Sequence, residues 1–190
     1  MRLYKFFLLV IVLIFFSCTG SKKFIYYTIE SYNKVSIDKK IDKTIKIKKV
    51  EISRNLISDK IPIKLSTHKL VFYNRYIWAS SIDLMLTEVI YNYFFDIGVF
   101  KSVFKYNDIT PADYYLNTYI NFLGEYIEDK KDYAYINMIF YLYDRDQNLI
   151  WVKKYEKKIP NTENSIDGII KIINIEINNI LRDLILTAPF

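Results

Sequence analysis

The chain has 190 residues, of which 52% are apolar, with a formal net charge of +6 and only four Gly and four Pro. Its length suits one compact domain behind a short leader, and its composition excludes a disordered or low-complexity protein. Residues 22–64 carry 12 Lys and Arg against 5 Asp and Glu, but the lysines alternate with isoleucines instead of forming a block. This pattern favours a solvated strand face near a membrane over nucleic-acid binding.

The first residues have the pattern of an export signal. Arg2 and Lys5 precede an uninterrupted apolar run from Phe6 to Phe16. The run is too short to cross a bilayer core, which takes about 20 residues, and it lacks the polar face of a core helix. We therefore predict a signal peptide over residues 1–17.

Cys18 is the only cysteine of the chain and follows the apolar run directly behind Ser17. A small residue before a cysteine at this place resembles a bacterial lipobox, in which the cysteine is lipidated and becomes the first residue of the mature chain. Phe15 and Phe16 depart from that pattern, where a Leu and a smaller residue are usual. An ordinary signal peptide or an uncleaved anchor with a chance cysteine is the alternative. We predict a lipidated tether over residues 18–23, with the covalent lipid on Cys18 as the only cofactor.

The predicted lipidation of Cys18 also indicates where the mature chain is located. Two or three acyl chains hold a protein stably on a membrane, so we expect the domain on a leaflet outside the cytoplasm. No Asp directly follows Cys18, and residue 20 is Gly. By resemblance to enterobacterial sorting, this favours the periplasmic face of the outer membrane over the inner membrane.

The first half of the mature chain predicts several short strands. Aromatic and β-branched residues predict a strand over 24–32, and alternating Ile and Lys predict a half-exposed strand over 44–53 with a bulge where the alternation slips. Residues 33–43 are polar and basic, as expected of a loop. Two further strands are predicted over 61–67 and 69–78.

A helix is predicted next. Ser80 and Asp83 stand in capping-box spacing at its start, and Gly98 is a suitable stop. The apolar residues between them recur at steps of three and four, as on one face of a helix: Ile82, Leu86, Val89, Ile90 and Tyr93. Residues 99–104 predict a short strand after the helix.

Three long strands, 114–127, 133–144 and 149–159, form the clearest β pattern and predict an antiparallel meander with turns at 128–132 and 145–148. In the first of them, one set of alternate residues is predicted to share a face: Leu116, Thr118, Ile120 and Phe122.

The last predicted element is an amphipathic helix over residues 165–185. Its apolar residues fall on one stripe: Ile166, Ile169, Ile170, Ile173, Ile177, Ile180, Leu181 and Leu184. Its polar residues are expected away from that stripe: Asp167, Lys171, Asn174, Asn178 and Asp183. The fold predicted for residues 24–190 is a single two-layer α+β domain, with a mostly antiparallel sheet and two long amphipathic helices packed on one face.

No motif of a known catalytic class occurs. The single histidine, His68, stands in a polar turn region, and a glycine-rich phosphate loop and the common nucleophile motifs are missing from the sequence. The acidic clusters at 128–132 and 144–146 are interpreted as solvated turns. We interpret the chain as a non-enzyme without a metal site, and a carboxylate-based hydrolase is kept as a further hypothesis.

The remaining candidates for function are large amphipathic side chains of the kind that anchor interfaces: Tyr26, Tyr27, Tyr73, Tyr76 and Trp78. The alternative is that they pack in the core of a Tyr-rich protein. An exposed sheet edge or the outward helix faces could also take a partner, and a spare sheet face would allow a homo-oligomer.

The order of these features resembles the ABC-type transport auxiliary lipoprotein family. A lipobox cysteine, a "YYTI" tetrapeptide at 26–29, a basic strand and a Trp-Ala pair opening a helix are followed by the hairpin and the last helix. The resemblance extends over residues 24–186. The positions that match family motifs are Tyr26, Tyr27, Trp78 and Ala79. The family usually has an Arg before that Trp and Glu-Pro after the Ala, where this chain has other residues: Ile77, Ser80 and Ser81.

The resemblance implies a periplasmic lipoprotein without chemistry of its own. Such proteins work with an MCE-domain protein and ABC transporter subunits that move lipids between membranes, and the lipoprotein docks the periplasmic partner at the outer membrane. The alternative is a lipoprotein regulator or assembly factor of a cell-wall synthase or an outer-membrane export machine.

Overall fold

A computed structural model describes residues 23–31 and 37–190. The predicted signal peptide and Cys18 lie outside the described residues. The described part contains nine strands and two helices: β1 (Ile25–Tyr27), β2 (Ile41–Ile47), β3 (Glu51–Ile52), β4 (Lys60–Ser66), β5 (Lys69–Trp78), α1 (Ile82–Ile97), β6 (Phe100–Phe104), β7 (Tyr114–Glu128), β8 (Lys131–Asp144), β9 (Leu149–Pro160) and α2 (Ile166–Thr187).

All nine strands belong to one sheet with β7 at its centre. One edge of β7 pairs antiparallel with β8 along its whole length, and β8 pairs antiparallel with β9. The other edge of β7 is shared, from end to end, by the parallel strands β2, β3 and β4. Beyond these, β6 pairs with β2, while β5 and then β1 lie beyond β4. Most paired residues belong to antiparallel strands, and the predicted α+β architecture is confirmed.

A β-bulge in β7 changes which face its side chains occupy. Residues up to Ile120 keep the predicted alternation, but the register with β8 slips between Ile120 and Phe122. Because one extra residue reverses the alternation, Leu123 points towards the helices and Phe122 to the opposite face. The prediction that Phe122 shares the face of Leu116 is therefore wrong.

The helix α1 begins later than predicted. Its N-cap is Ser81, which makes no side-chain capping hydrogen bond, so the predicted Ser80–Asp83 capping box is wrong. Asp83 forms an ion pair with Lys49 at 3.0 Å instead. The predicted stop is confirmed, because Gly98 adopts a left-handed conformation with φ 61° and its N–H donates to the Phe95 carbonyl.

The helix α2 confirms the predicted apolar stripe but not the predicted place of two polar residues. Ser165 caps the helix by accepting from the Gly168 N–H over 3.1 Å, and the stripe residues from Ile169 to Leu184 are buried. Asn174 and Asn178 are buried with them, at 5% and 6% exposure. The prediction that they lie away from the buried stripe is wrong, because both amides have backbone partners described below.

Two predicted strands differ from those observed. The strand predicted over 24–32 is limited to Ile25–Tyr27. The one predicted over 44–53 is divided into β2 and β3, because Val50 turns into the core and its N–H donates to the Thr87 hydroxyl of α1 over 2.9 Å. The turn between β7 and β8 is also shorter than predicted, with Asp129 and Lys130 at positive φ.

The core lies between the sheet and the two helices. Its largest side chains are fully buried on both layers: Trp78, Phe94, Phe140, Leu86, Ile90 and Leu116. Neither α1 nor α2 is both long and apolar enough to cross a membrane.

Candidate functional site

The segment that follows the predicted tether is fixed at the edge of the sheet. β1 pairs in parallel with β5, so that Tyr26 lies opposite Ile77 and Tyr27 opposite Trp78. The Ala79 N–H donates to the Tyr27 carbonyl over 2.8 Å. The structure thus brings the four family-motif positions together, although they come from two distant parts of the sequence.

These four positions differ in burial, which decides what each can do. Trp78 is 2% exposed and belongs to the core, whereas Tyr26 is 62% exposed. Tyr27 is half-buried and Ala79 is exposed. The structural role of this set is strand pairing, and only Tyr26 offers a large aromatic surface to solvent.

Two asparagines of α2 hold the backbone just after β1. The Asn174 side chain accepts from the Glu30 N–H over 2.8 Å and donates to the Thr28 carbonyl over 3.3 Å. Asn178 donates to the Glu30 carbonyl over 3.2 Å. These amides replace the strand neighbour that residues 28–30 lack. We name residues 25–30, with their partners on β5 and α2, the N-terminal clasp.

A tyrosine and a core residue strengthen the clasp. The Tyr27 hydroxyl donates to the Asp167 carboxylate over 2.7 Å. Burial raises the pKa of the Tyr27 phenol well above its ordinary value, and this hydrogen bond has the second largest effect in the same direction. Ile29 is 3% exposed, and its N–H donates to the Met85 sulfur over 3.1 Å.

Beside Tyr27, two more tyrosines lead to a buried carboxylate. The rings of Tyr27 and Tyr76 lie 6.0 Å apart and those of Tyr76 and Tyr73 5.3 Å apart, and the Tyr73 hydroxyl donates to Glu125. Burial raises the pKa of Glu125, which is 5% exposed, against the opposing effect of the Tyr73 hydrogen bond. Of the predicted interface aromatics, three therefore form an internal chain of rings.

A groove of about 760 Å³ lies between the N-terminal clasp and α1. One wall is formed by residues 28–31, and the other by side chains of α1 that include Leu84, Met85 and Val89. Leu84 is 42% exposed although it is a large apolar residue. The groove therefore offers apolar surface along residues 28–31, which directly follow β1.

The rim of this groove is acidic. Glu30, Glu88 and Asp96 line it together with the amide of Asn92. Lys105 forms an ion pair with Glu88 at 2.6 Å. An apolar floor with carboxylates at the rim suits a partner segment that has apolar and basic side chains.

The other sequence candidates lie apart from this groove. His68 is exposed in the turn of the β4–β5 hairpin. Asp144 accepts from the N–H groups of Asp146 and Asn148 at 2.9 and 2.8 Å, which confirms the predicted turn at 145–148. Within residues 23–31 and 37–190, no three acidic or histidine side chains are placed to hold a metal ion.

The comparisons with known proteins show similarity of fold. The crystal structure of protein XCC0632 from Xanthomonas campestris, described as DUF330, has a TM-score of 0.68 at 15% identity, covering 85% of this chain and 90% of that one. The crystal structure of an uncharacterized protein has a TM-score of 0.63 at 13% identity, covering 83% and 97%. Lipoprotein GNA1162 from Neisseria meningitidis has a TM-score of 0.40 at 9% identity, covering 74% and 98%, too low to support an argument.

No model of a protein family matches the chain, and no curated protein matches it. The assignment to the ABC-type transport auxiliary lipoprotein family is therefore wrong: the similar structures are described as DUF330 or as uncharacterized, and none of their names mentions ABC transport. The matched motifs are short. Their residues pair β1 with β5, a structural task that does not identify one family.

Sequence reasoning missed the two residues that secure the clasp, Asn174 and Asn178. Their spacing of four places them on one face of a helix next to the apolar stripe. An amide pair on the border of such a stripe is the signal that could have indicated buried partners.

Proposed function

We propose that the chain is a lipid-anchored, non-catalytic docking protein at the periplasmic face of the outer membrane. Its task is to hold a periplasmic component of a transport assembly that moves lipids between membranes. The observation that supports this proposal is the N-terminal clasp, which fixes residues 25–30 against β5 and α2, with the groove along residues 28–31.

The length of the tether supports this role. Residues 18 and 25 are separated by seven peptide units, which reach at most about 25 Å when fully extended. A lipid on Cys18 would therefore keep the clasp and its groove close to the membrane surface. A partner that spans the periplasm would meet the groove where it reaches the membrane.

The contacts of the groove define the kind of partner segment. Leu84 offers apolar area, and the carboxylates of Glu30 and Asp96 line the groove with Glu88, which is already paired with Lys105. An amphipathic segment with basic residues at its margins would bury apolar surface against Leu84 and pair its charges with this rim. We take an MCE-domain protein with its ABC transporter subunits as the partner to be tested.

The test is an affinity purification of the full chain from membranes, with a groove variant and a matched control. Leu84→Arg places a charge in the groove, and Ile175→Arg places the same charge at a 51% exposed position of α2. We expect an MCE-domain protein and transporter subunits to be recovered with the unchanged chain and with Ile175→Arg, but not with Leu84→Arg. In the Cys18→Ala variant, loss of the lipid should release the chain from the membrane.

The outcomes separate the alternatives. Recovery of a cell-wall synthase or an export component, again lost only with Leu84→Arg, would identify that protein as the partner in place of an MCE-domain protein. The docking role of the groove would still hold. Equal recovery with Leu84→Arg and Ile175→Arg would exclude the groove as the docking site. An unchanged membrane location of Cys18→Ala would contradict the lipid anchor.

A further inference from the structure

We infer that the sheet face opposite the helices carries a separate site, a cavity that binds acidic saccharides. The cavity has a volume of about 560 Å³, which lies within the range of about 300–1,000 Å³ typical of small-molecule sites. Its walls are the β3–β4 loop and the turn of the β4–β5 hairpin, and its floor is the face of β7 and β8. This inference goes beyond the docking role and does not depend on it.

The bulge in β7 creates the floor of the cavity. By reversing the alternation of β7, it turns Phe122 away from the helices and onto this face. There Phe122 packs against Tyr135 of β8, with ring centroids 5.3 Å apart and planes tilted by 39°. The two rings form a shallow aromatic floor, to which Tyr135 contributes the more accessible ring.

Two asparagines beside the floor supply hydrogen-bonding groups. The Asn121 amide donates to the Asn137 side-chain oxygen over 3.1 Å, and Asn137 donates to the Tyr135 hydroxyl over 3.4 Å. Each amide nitrogen carries two hydrogens and each amide oxygen two lone pairs. One N–H of each residue and the Asn121 oxygen therefore remain available to hydroxyl groups of a ligand.

The charged residues of the cavity are all of one sign. Lys64 and Lys69 line it, and no carboxylate is found among the described residues of its lining. The Lys64 ammonium lies 5.3 Å from the Tyr135 ring centroid, directly above the floor. Within the described residues, neither lysine forms an ion pair with a carboxylate, although Glu156, which accepts from the Tyr135 hydroxyl, acts electrostatically on Lys64. Walls of one sign attract a ligand of the opposite sign, here a carboxylate or phosphate on the sugar.

The three features together favour a sugar over a nucleobase. Phe122 is only 7% exposed, so the floor presents ring edges and partial faces instead of an open stacking platform. The walls add hydroxyl and amide groups from Ser53, Asn55 and Ser66, which suit a ligand with many hydroxyl groups. An exported domain would meet acidic saccharides in two places, the cell-wall glycan and the core of the outer-membrane lipopolysaccharide.

The test measures binding to the full chain in detergent by isothermal titration calorimetry. The first probe is a tetrasaccharide of alternating glucuronate and N-acetylglucosamine, and its neutral counterpart is a tetrasaccharide of N-acetylglucosamine alone. We expect the acidic probe to bind about tenfold more tightly at low salt, with the difference shrinking as salt is added.

Variants assign the contacts. The double change Lys64→Ala and Lys69→Ala should weaken the acidic probe by about tenfold while changing the neutral probe by less than about twofold. Asn121→Ala should weaken both probes, since it removes hydrogen bonds that do not depend on charge. Lys131→Ala removes one positive charge from an exposed residue at the start of β8 and should change neither. Circular dichroism checks that every variant is folded.

Two further ligands distinguish the cell-wall glycan from lipopolysaccharide as the origin of the bound saccharide. A muramic-acid glycan fragment and a lipopolysaccharide core oligosaccharide are compared, and tighter binding of either one names the source. Absence of saturable binding by all of these saccharides would overturn the inference. So would unchanged affinity in the double lysine variant, or tighter binding of a single-stranded oligothymidine than of the acidic tetrasaccharide.

Discussion

The two faces of the sheet, one beneath the helices and one opposite them, can be compared along the strands β7, β8 and β9. Alternate residues of each strand point to alternate faces. On β8, the side chains beneath the helices are fully buried ones, such as Phe140 and Leu142 at 0% exposure. Their neighbours Tyr141 and Tyr143 point to the opposite face and are half-buried. Alternate residues of one strand thus belong to the buried core and to a face that is partly exposed to solvent.

The two faces are stabilised in different ways. The covered face depends on removing aliphatic and aromatic side chains from water. On the opposite face, lysines lie over tyrosine rings, as Lys158 does over Tyr126 and Tyr133 at 4.5 and 4.4 Å, and Tyr135 donates to Glu156. Tyrosine suits this face because its ring covers the sheet while its hydroxyl reaches water or a carboxylate.

The largest expected difference between the faces is in the cost of removing a ring. Phe140→Ala should lower the free energy of unfolding by about 3–5 kcal/mol, because it leaves a cavity in a filled core. Tyr141→Ala, one residue further on the opposite face, should lower it by about 1 kcal/mol. Urea unfolding of both variants measures the difference. Equal losses would mean that the second face is covered as completely as the first.

A second change tests the close approach of β4 to β7 within the sheet. A Cβ on Gly124 would lie 2.3 Å from the Pro62 carbonyl oxygen and 2.8 Å from its Cγ. Gly124→Ala should therefore cost about 2 kcal/mol by forcing β4 away from β7. At Gly98 a Cβ meets nothing within 4 Å, but φ is 61°, so Gly98→Ala should cost about 1 kcal/mol through backbone strain alone.

The buried amide of Asn174 can be compared with an exposed one on the same helix. Asn174→Ala leaves the Glu30 N–H without its partner and should lower stability by about 1–3 kcal/mol. Hydrogen exchange should show the loss of protection at residues 28–30 first. Asn179, which donates to Glu176 over 3.0 Å on the surface, serves as control, and protection of residues 28–30 should survive Asn179→Ala. Unchanged hydrogen exchange at residues 28–30 in Asn174→Ala would show that Asn174 does not hold the clasp in place.

The buried carboxylate Glu125 predicts a pH dependence. Its folded-state pKa is raised above the ordinary value of 4.5, so the unfolded chain releases the proton first as pH rises. The contribution of Glu125 to stability is therefore fully present below pH 4.5 and decreases as pH rises towards its folded pKa. Glu125→Gln keeps an acceptor for the Tyr73 hydroxyl and should be more stable than the unchanged chain at neutral pH.

The measurement is the difference in unfolding free energy between the two chains from pH 4 to pH 7. The advantage of Glu125→Gln should grow with pH. Glu51→Gln, at an exposed position, should show no such trend. A difference that stays constant with pH would show that Glu125 is not shifted by burial.

The smallest expected effect concerns the lysines above the tyrosine rings. Lys158 pairs with Glu128 and lies over two rings, but all of these groups are partly solvated. Lys158→Ala should lower the melting temperature only slightly, and less at high salt. Thermal unfolding at low and high salt measures this. A loss several times larger would mean that the face opposite the helices depends on its charged contacts as the covered face depends on packing.

Most elements could be predicted because their patterns are local. The alternation in β8 and the apolar stripe of α2 predicted a strand and a helix at the right places, and Gly98 predicted the end of α1. The Phe122 prediction was wrong because nothing in the local alternation of "NTYINFLGEYI" marks a bulge at Asn121. A bulge depends on how β8 pairs alongside, which is a property of two strands and not of one.

The candidate site was harder to predict from the sequence than the fold. Tyr26, Tyr27, Trp78 and Ala79 were singled out, but their pairing across about fifty residues became visible only in the sheet. Asn174 and Asn178 were expected away from the apolar stripe, because amides are polar and usually exposed. Only the segment at 28–30, which needs partners for its backbone, explains their burial.

By itself, the sequence determined the two helices, the meander and the two-layer α+β class, because each rests on the periodicity of neighbouring residues. The tertiary structure alone decided which strands share the second edge of β7, where the bulge reverses its faces, and which polar side chains become buried partners. Those features depend on contacts between residues far apart in the chain, whose free energies no local pattern records.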